Sequence, residues 1–245
     1  MSRELSPLLH RVPVRWVAIS GLGMAMWLAP ATPAQNPQLQ EHVAEIKQSM
    51  AQNRQALAQY TWQEQETISI KGETKKQKQF QVRLGTDGKP QKEQIGAPDQ
   101  TSDGGRQHGV KHRIKEEKKE EFEDYGKQIA GLAEDYMQQE PGKLQLLYEQ
   151  GNITVGSAGA PGEIRIVVRS YVKQGDSVTI IYGQQQRAVQ SIQISSYLSD
   201  PSDVVNISAQ FVQLPNGPNH VYDLLVNGVS KRLTVEMQNS NYQHL

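Results

Sequence analysis

Val205-Asn206-Ile207-Ser208-Ala209-Gln210-Phe211 alternates apolar and polar residues without a break. A period of two places Val205, Ile207, Ala209 and Phe211 on one face of a strand and the amides and the serine on the other, so one face is buried and one is wet. The same pattern recurs on both sides of this segment. Upstream, Ile164, Ile166 and Val168 alternate with Glu163, Arg165 and Arg169. Val178, Ile180 and Tyr182 follow the turn signal Gly175-Asp176, and Ile192 and Ile194 follow Gly183 to Gln186. Downstream, Leu233, Val235 and Met237 end the series. Asn216-Gly217 and Asn227-Gly228 read as hairpin turns, because tight primed turns need positive φ at both central positions. Short turns between one-faced strands predict an antiparallel meander of about six strands, which alternating parallel units would not produce.

The region before the meander changes period twice. Leu39, Val43, Ile46, Met50, Leu57 and Tyr60 recur at helical spacing and predict an amphipathic helix that covers a sheet. Two strands follow. Trp62, Ile68 and Ile70 share a face in the first, Phe80, Val82 and Leu84 in the second, and Gly72-Glu73 supplies the turn. Residues 86–109 are polar and rich in Gly, Pro and Asp, which predicts a long mobile loop with room for a short strand around Lys89–Ile95. Phe122, Tyr125, Ile129, Leu132 and Tyr136 then form a second helical stripe, and the charged run Lys115–Glu121 before it reads as a solvated helix face. A third, shorter helix starts near Pro141, with Leu144, Leu147 and Tyr148 on its apolar side. The fold class is therefore α+β: a strongly curved antiparallel sheet, an unclosed half-barrel, with an N-terminal helix and two inserted helices over its concave side.

Composition sets the expected setting. Arg3, Arg11 and Arg15 precede the apolar run Trp16–Ala29, and Thr32-Pro33-Ala34 closes it with small residues, the order of a secretory signal peptide spanning residues 1–34. The run is too short for a bilayer-spanning helix, which takes about 20 residues. Residues 35–245 are thus expected as a single exported domain, periplasmic or secreted, with no transmembrane anchor. Removing three Arg and one Glu leaves 26 − 3 = 23 basic and 26 − 1 = 25 acidic side chains, a balance that gives no broad attraction to nucleic acid. The chain has no cysteine, so disulfides and thiol catalysis are excluded.

Catalytic and cofactor motifs are wanting. His108, His112 and Glu116 have spacings of four that could ligate zinc on a helix, but Gly109 interrupts it and no metal is expected. Gly156-Ser157-Ala158-Gly159 lacks the spacing of a nucleophile elbow, and no glycine-rich phosphate loop is present, so neither an enzyme nor a cofactor is expected.

The order of elements resembles the periplasmic lipoprotein-carrier superfamily of LolA, LolB and RseB-like half-barrels. The resemblance rests on the helix Pro37–Tyr60 running into Tyr60-Thr61-Trp62, on the inserted helices, and on the terminal segment from Tyr197-Leu198-Ser199-Asp200-Pro201 to Val235-Glu236-Met237-Gln238-Asn239. It implies a non-enzymatic binding protein, carrier or envelope sensor, that shelters a lipid or a lipidated protein between sheet and helices. Candidate cavity residues are Trp62, Ile68, Phe80, Val82, Ile166, Ile180, Ile192, Ile207, Phe211 and Leu233. The same residues would equally build an ordinary core, in which case the chain is an exported structural or interaction protein that binds an envelope partner through a loop or sheet edge and holds no lipid.

Overall fold

A computed structural model describes residues 37–96, 110–137, 142–215 and 217–245. The segment 1–34 read as a signal peptide lies outside them, as does His108. The elements, in chain order, are α1 (Pro37–Leu57), β1 (Tyr60–Ile70), β2 (Glu73–Leu84), β3 (Pro90–Ile95), α2 (Val110–Met137), α3 (Lys143–Glu149), β4 (Ile153–Ser157), β5 (Glu163–Arg169), β6 (Ser177–Gly183), β7 (Ala188–Tyr197), β8 (Val204–Gln213), β9 (Asn219–Gly228) and β10 (Leu233–His244).

All ten strands join one antiparallel sheet in the order β3-β2-β1-β10-β9-β8-β7-β6-β5-β4. Neighbouring strands are consecutive in sequence except where β1 meets β10. The connection from β3 to β4 runs from one edge of the sheet to the other, and it carries α2 and α3. Among the described residues β3 and β4 do not pair, so the sheet stays open.

Curvature comes from irregular register. Shifts fall between Thr61 and Gln63, Ile68 and Ser69, Ile181 and Tyr182, and Gln210 and Phe211. Each leaves an extra residue on one strand, bends it and increases the local twist. Asn241, with φ of 53°, sits opposite the first of these irregularities.

The helical stripe of α2 packs on the concave face. Tyr125, Ile129, Leu132, Ala133 and Tyr136 are buried with Leu147 and Tyr148 of α3, against Ile153, Ile166, Val168, Val178, Ile194, Val205, Ile207, Val226 and Leu233. Ile129 and Val205 have no exposed surface. Burying a side chain of this size stabilises by about 1.5–3 kcal/mol, so the centre of the half-barrel is a packed core.

Several sequence expectations shift. Helix α1 ends at Leu57, and Tyr60 already belongs to β1. The turn Lys71-Gly72 has φ of 54° and 82°, one residue earlier than Gly72-Glu73 suggests, so β2 begins at Glu73. Asn227-Gly228 is no turn: both residues lie in β9, and the chain reverses at Val229–Arg232. Strand β4, between the third helix and Glu163, is an element that the sequence pattern does not mark. Within the polar run 86–109, Thr86–Lys89 makes a tight turn and Pro90–Ile95 forms β3, while residues 97–109 lie outside the described residues.

Candidate functional site: a groove beneath the first helix

One end of the concave face is not filled by α2. There, an open groove of about 1330 Å³ lies between α1, the β2–β3 turn and the ends of β7, β8 and β9. Met50 and Leu57 of α1, Leu84, Val189, Ile192, Phe211 and Val221 supply its apolar surface.

Helix α1 covers this groove, and its described residues are anchored largely by polar contacts. Of its residues described, Ile46 is buried in the core and Met50 packs against it. The rest of its attachment is polar. Asn53 hooks the start of β9, its Nδ2 donating to Asn219 O and its Oδ1 accepting from Asn219 N, both at 2.6 Å. Arg54 Nη2 donates to Gly88 O at 2.9 Å, so the β2–β3 turn is tied to the helix. Ser49 donates to Arg187 O, and Arg187 Nε lies 3.2 Å from Glu45 Oε1. Asn219 in turn donates its side-chain amide to Val189 O at 2.7 Å, linking β9 to β7 across the floor.

Of four cations at the rim, three face a carboxylate. Arg54 is held by a carbonyl, Lys89 faces Glu134 at 3.7 Å, Lys92 pairs with Glu64, and Arg187 pairs with Glu45. The groove thus combines apolar contact with polar side chains, and the carbonyl that holds Arg54 does not offset its charge. Tyr182 is buried beside it, and burial raises the pKa of its hydroxyl, against the opposing effect of the neighbouring Ser49 and Arg187. No cluster of His, Cys, Asp and Glu suited to a metal ion occurs among the described residues.

The ten residues singled out from sequence separate into three groups. Ile192 and Phe211 line the groove, half-buried and packed against the core. Ile166, Ile207 and Leu233 are 2–3 % exposed within the core, and Ile180 packs on its margin. Trp62, Ile68, Phe80 and Val82 lie on the β1–β2 part of the sheet. Trp62 and Val82 are buried there, and the Trp62 ring stacks on Tyr242 at 5.4 Å while its Nε1 donates to Asn239 Oδ1 at 3.1 Å. Tyr242 continues the stack to His220 at 4.0 Å. Phe80 stands between two ammonium groups, Lys78 at 5.9 Å and Lys92 at 5.7 Å from its centroid. Ile68 is half-buried.

Asn53, Asn219 and Arg54 are the residues that sequence reading misses. Each is a polar residue with nothing in its local pattern to mark it, since its partner lies in a distant segment. The side chains of His112 and Glu116 lie outside the described residues.

No family model matches the sequence, and no curated protein matches it. Two solved structures share a measure of its shape. A DUF1329 family protein from Desulfovibrio piger aligns at 9 % identity and a TM-score of 0.39 over 82 % of this chain and 92 % of that one. A LolA superfamily protein from Nitrosomonas europaea aligns at 6 % identity and a TM-score of 0.37 over 83 % of this chain and 93 % of that one.

Proposed function

We propose that this chain is an exported, non-enzymatic binding protein that holds the acyl chain of a lipid or a lipidated protein in the groove beneath α1. The observation that carries this reading is an open groove of about 1330 Å³ in which Val189, Ile192, Phe211 and Val221 give an apolar surface inside a polar rim, three of whose four cations face a carboxylate. Such a site gains chiefly from hydrocarbon. Each buried methylene contributes about 0.8 kcal/mol, so eight of them give on the order of 6 kcal/mol before the cost of ordering the ligand. A groove of this kind also needs no reacting group, in keeping with the lack of a catalytic motif.

The test is lipid extraction of the purified protein followed by mass spectrometry, and titration of the stripped protein with a fluorescent fatty acid. Copurified lipid and saturable uptake, both lost in Ile192→Asp and Phe211→Asp, support the reading. A lipid-free protein that takes up no fatty acid while its thermal unfolding remains cooperative refutes it.

A second reading draws on the packed centre. With α2 filling the half-barrel, the sheet is a rigid scaffold on which α1 and the β2–β3 hairpin form a surface for an envelope protein. Failure of lipid uptake turns the choice to that reading.

A further inference from the structure

The two edges of the sheet are built differently. In an antiparallel pair, residues alternate between pointing their N–H and C=O at the partner strand and pointing them away. For β3 the turn bond from Gly85 N to Lys89 O fixes the phase: Lys89, Gln91, Glu93 and Ile95 face β2, while Pro90, Lys92 and Gln94 face outward. The first outward position is a proline with no N–H, and the second is a lysine. Those are devices that discourage an added strand.

For β4 the bonds from Arg169 N to Asn152 O and from Ala158 N to Glu163 O fix the phase in the same way. Asn152, Thr154, Gly156 and Ala158 face β5, and Ile153, Val155 and Ser157 turn their backbone donors and acceptors outward. No described strand pairs with that side. This edge has no proline and no charge. From Gln150 to Gly162 the chain carries no ionisable side chain at all. Leu146, on the helix leading into the strand, is 53 % exposed.

We infer that β4 is a pairing edge whose occupant is β4 of a second copy of this chain, antiparallel about a two-fold axis at Val155. The register follows from the parity: Val155 meets Val155 of the other copy, and Ile153 meets Ser157. All three outward donors on each copy then find an outward carbonyl on the other. A neutral strand suits itself as partner, because no like charges meet across the two-fold, whereas a charged peptide gains no complementary contact. The contact joins the two sheets into one and covers the unguarded edge.

The test is sedimentation velocity of the full chain over a concentration series, with amide hydrogen exchange in parallel. The expected result is a reversible monomer–dimer equilibrium in which the amides of Val155 and Ser157 exchange more slowly as concentration rises. Val155→Pro removes an outward donor that the β4–β5 ladder does not use, so it is expected to abolish the dimer, with a moderate fall in melting temperature because the Val155 side chain packs against the core. A wild-type chain that stays monomeric throughout, or a folded Val155→Pro chain that dimerises like the wild type, overturns the inference. If the proline variant fails to fold, the exchange data decide: protection at Val155 and Ser157 that does not change with concentration also overturns it.

Discussion

The ring of Tyr125 lies against the backbone of Gly228, so close that a Cβ on that glycine would stand 2.5 Å from Cε1 and 2.7 Å from the hydroxyl oxygen. Tyr125 cannot simply swing away. Its hydroxyl donates to Asp203 Oδ1 at 2.9 Å, and Ser230 donates to the same carboxylate at 2.5 Å. The glycine therefore serves close approach of α2 to β9, although its sequence context reads as a turn. Gly228→Ala is expected to destabilise the fold by about 1–3 kcal/mol, the usual cost of overpacking a core contact. Tyr125→Ala combined with Gly228→Ala should show non-additive loss in denaturant unfolding, since the two residues share one contact.

Asp176 organises the turn between β5 and β6. Its carboxylate, 2 % exposed, accepts from the backbone N–H groups of Tyr171 at 2.6 Å, Val172 at 2.8 Å and Lys173 at 2.7 Å, and from the Tyr136 hydroxyl. The α2 helix is thereby tied to a turn at the far end of the sheet. Burial and the Asp176 hydrogen bond raise the Tyr136 pKa, so the phenol stays a donor through the neutral range. Asp176→Ala removes four hydrogen bonds, leaving three backbone donors without an acceptor while Tyr136 keeps Ser196 Oγ at 2.8 Å, and is expected to cost about 3 kcal/mol or more. Tyr136→Phe removes one of them and should cost about 1 kcal/mol. Urea unfolding of both variants measures the ratio.

The apolar alternation of β5 to β8 and of β10, and the stripes of α1 and α2, are legible because burial imposes a period on neighbouring residues. Val205, Ile207 and Ala209 face inward in the structure as their spacing predicts. Strand β4 is illegible for the opposite reason. Ile153 and Val155 are too few to set a period, and the strand exists because β5 offers it a template. The groove is harder still. It is assembled from α1, the β2–β3 turn and the ends of three later strands, and of the ten residues expected to line a cavity only Ile192 and Phe211 reach it. A hydrophobic residue announces that it is buried, while which cavity it borders depends on how far α2 fills the half-barrel.

His220 gives the fold a pH dependence. The imidazole is 6 % exposed and packed on Tyr242, with Nδ1 3.1 Å from Val221 O. Burial lowers its pKa below the ordinary 6.5, and the hydrogen bond to Val221 offsets only part of that. The unfolded chain then binds a proton more readily than the native one. Stability from this residue is fully present above the unfolded pKa and is lost as pH falls through the native value. The melting temperature is expected to drop between about pH 7 and pH 5, and the His220→Phe chain should lose the part of that drop which His220 contributes. A variant whose melting curve keeps the full wild-type slope in that window shows that carboxylates carry the effect instead.

Glu64 and Lys92 make the pair most sensitive to removal of one partner. Glu64 has a side chain 7 % exposed on β1, and Lys92, on β3, has one 32 % exposed. Tyr242 lies near enough that Glu64, after burial, raises the phenol pKa. The carboxylate is therefore enclosed by the sheet while its counterion sits at the margin. Lys92→Met leaves a buried charge with no cation and is expected to destabilise the protein by about 2–3 kcal/mol, somewhat below the usual range for breaking a buried pair because the lysine end is partly solvated. Replacing both residues, Glu64→Gln with Lys92→Met, should recover most of that loss, since no ion then needs solvation. The measurement is a double-mutant cycle in urea at neutral pH. A double variant as unstable as Lys92→Met alone would mean that the lysine acts through packing on Phe80, whose ring centroid lies 5.7 Å from the ammonium, and not through the carboxylate.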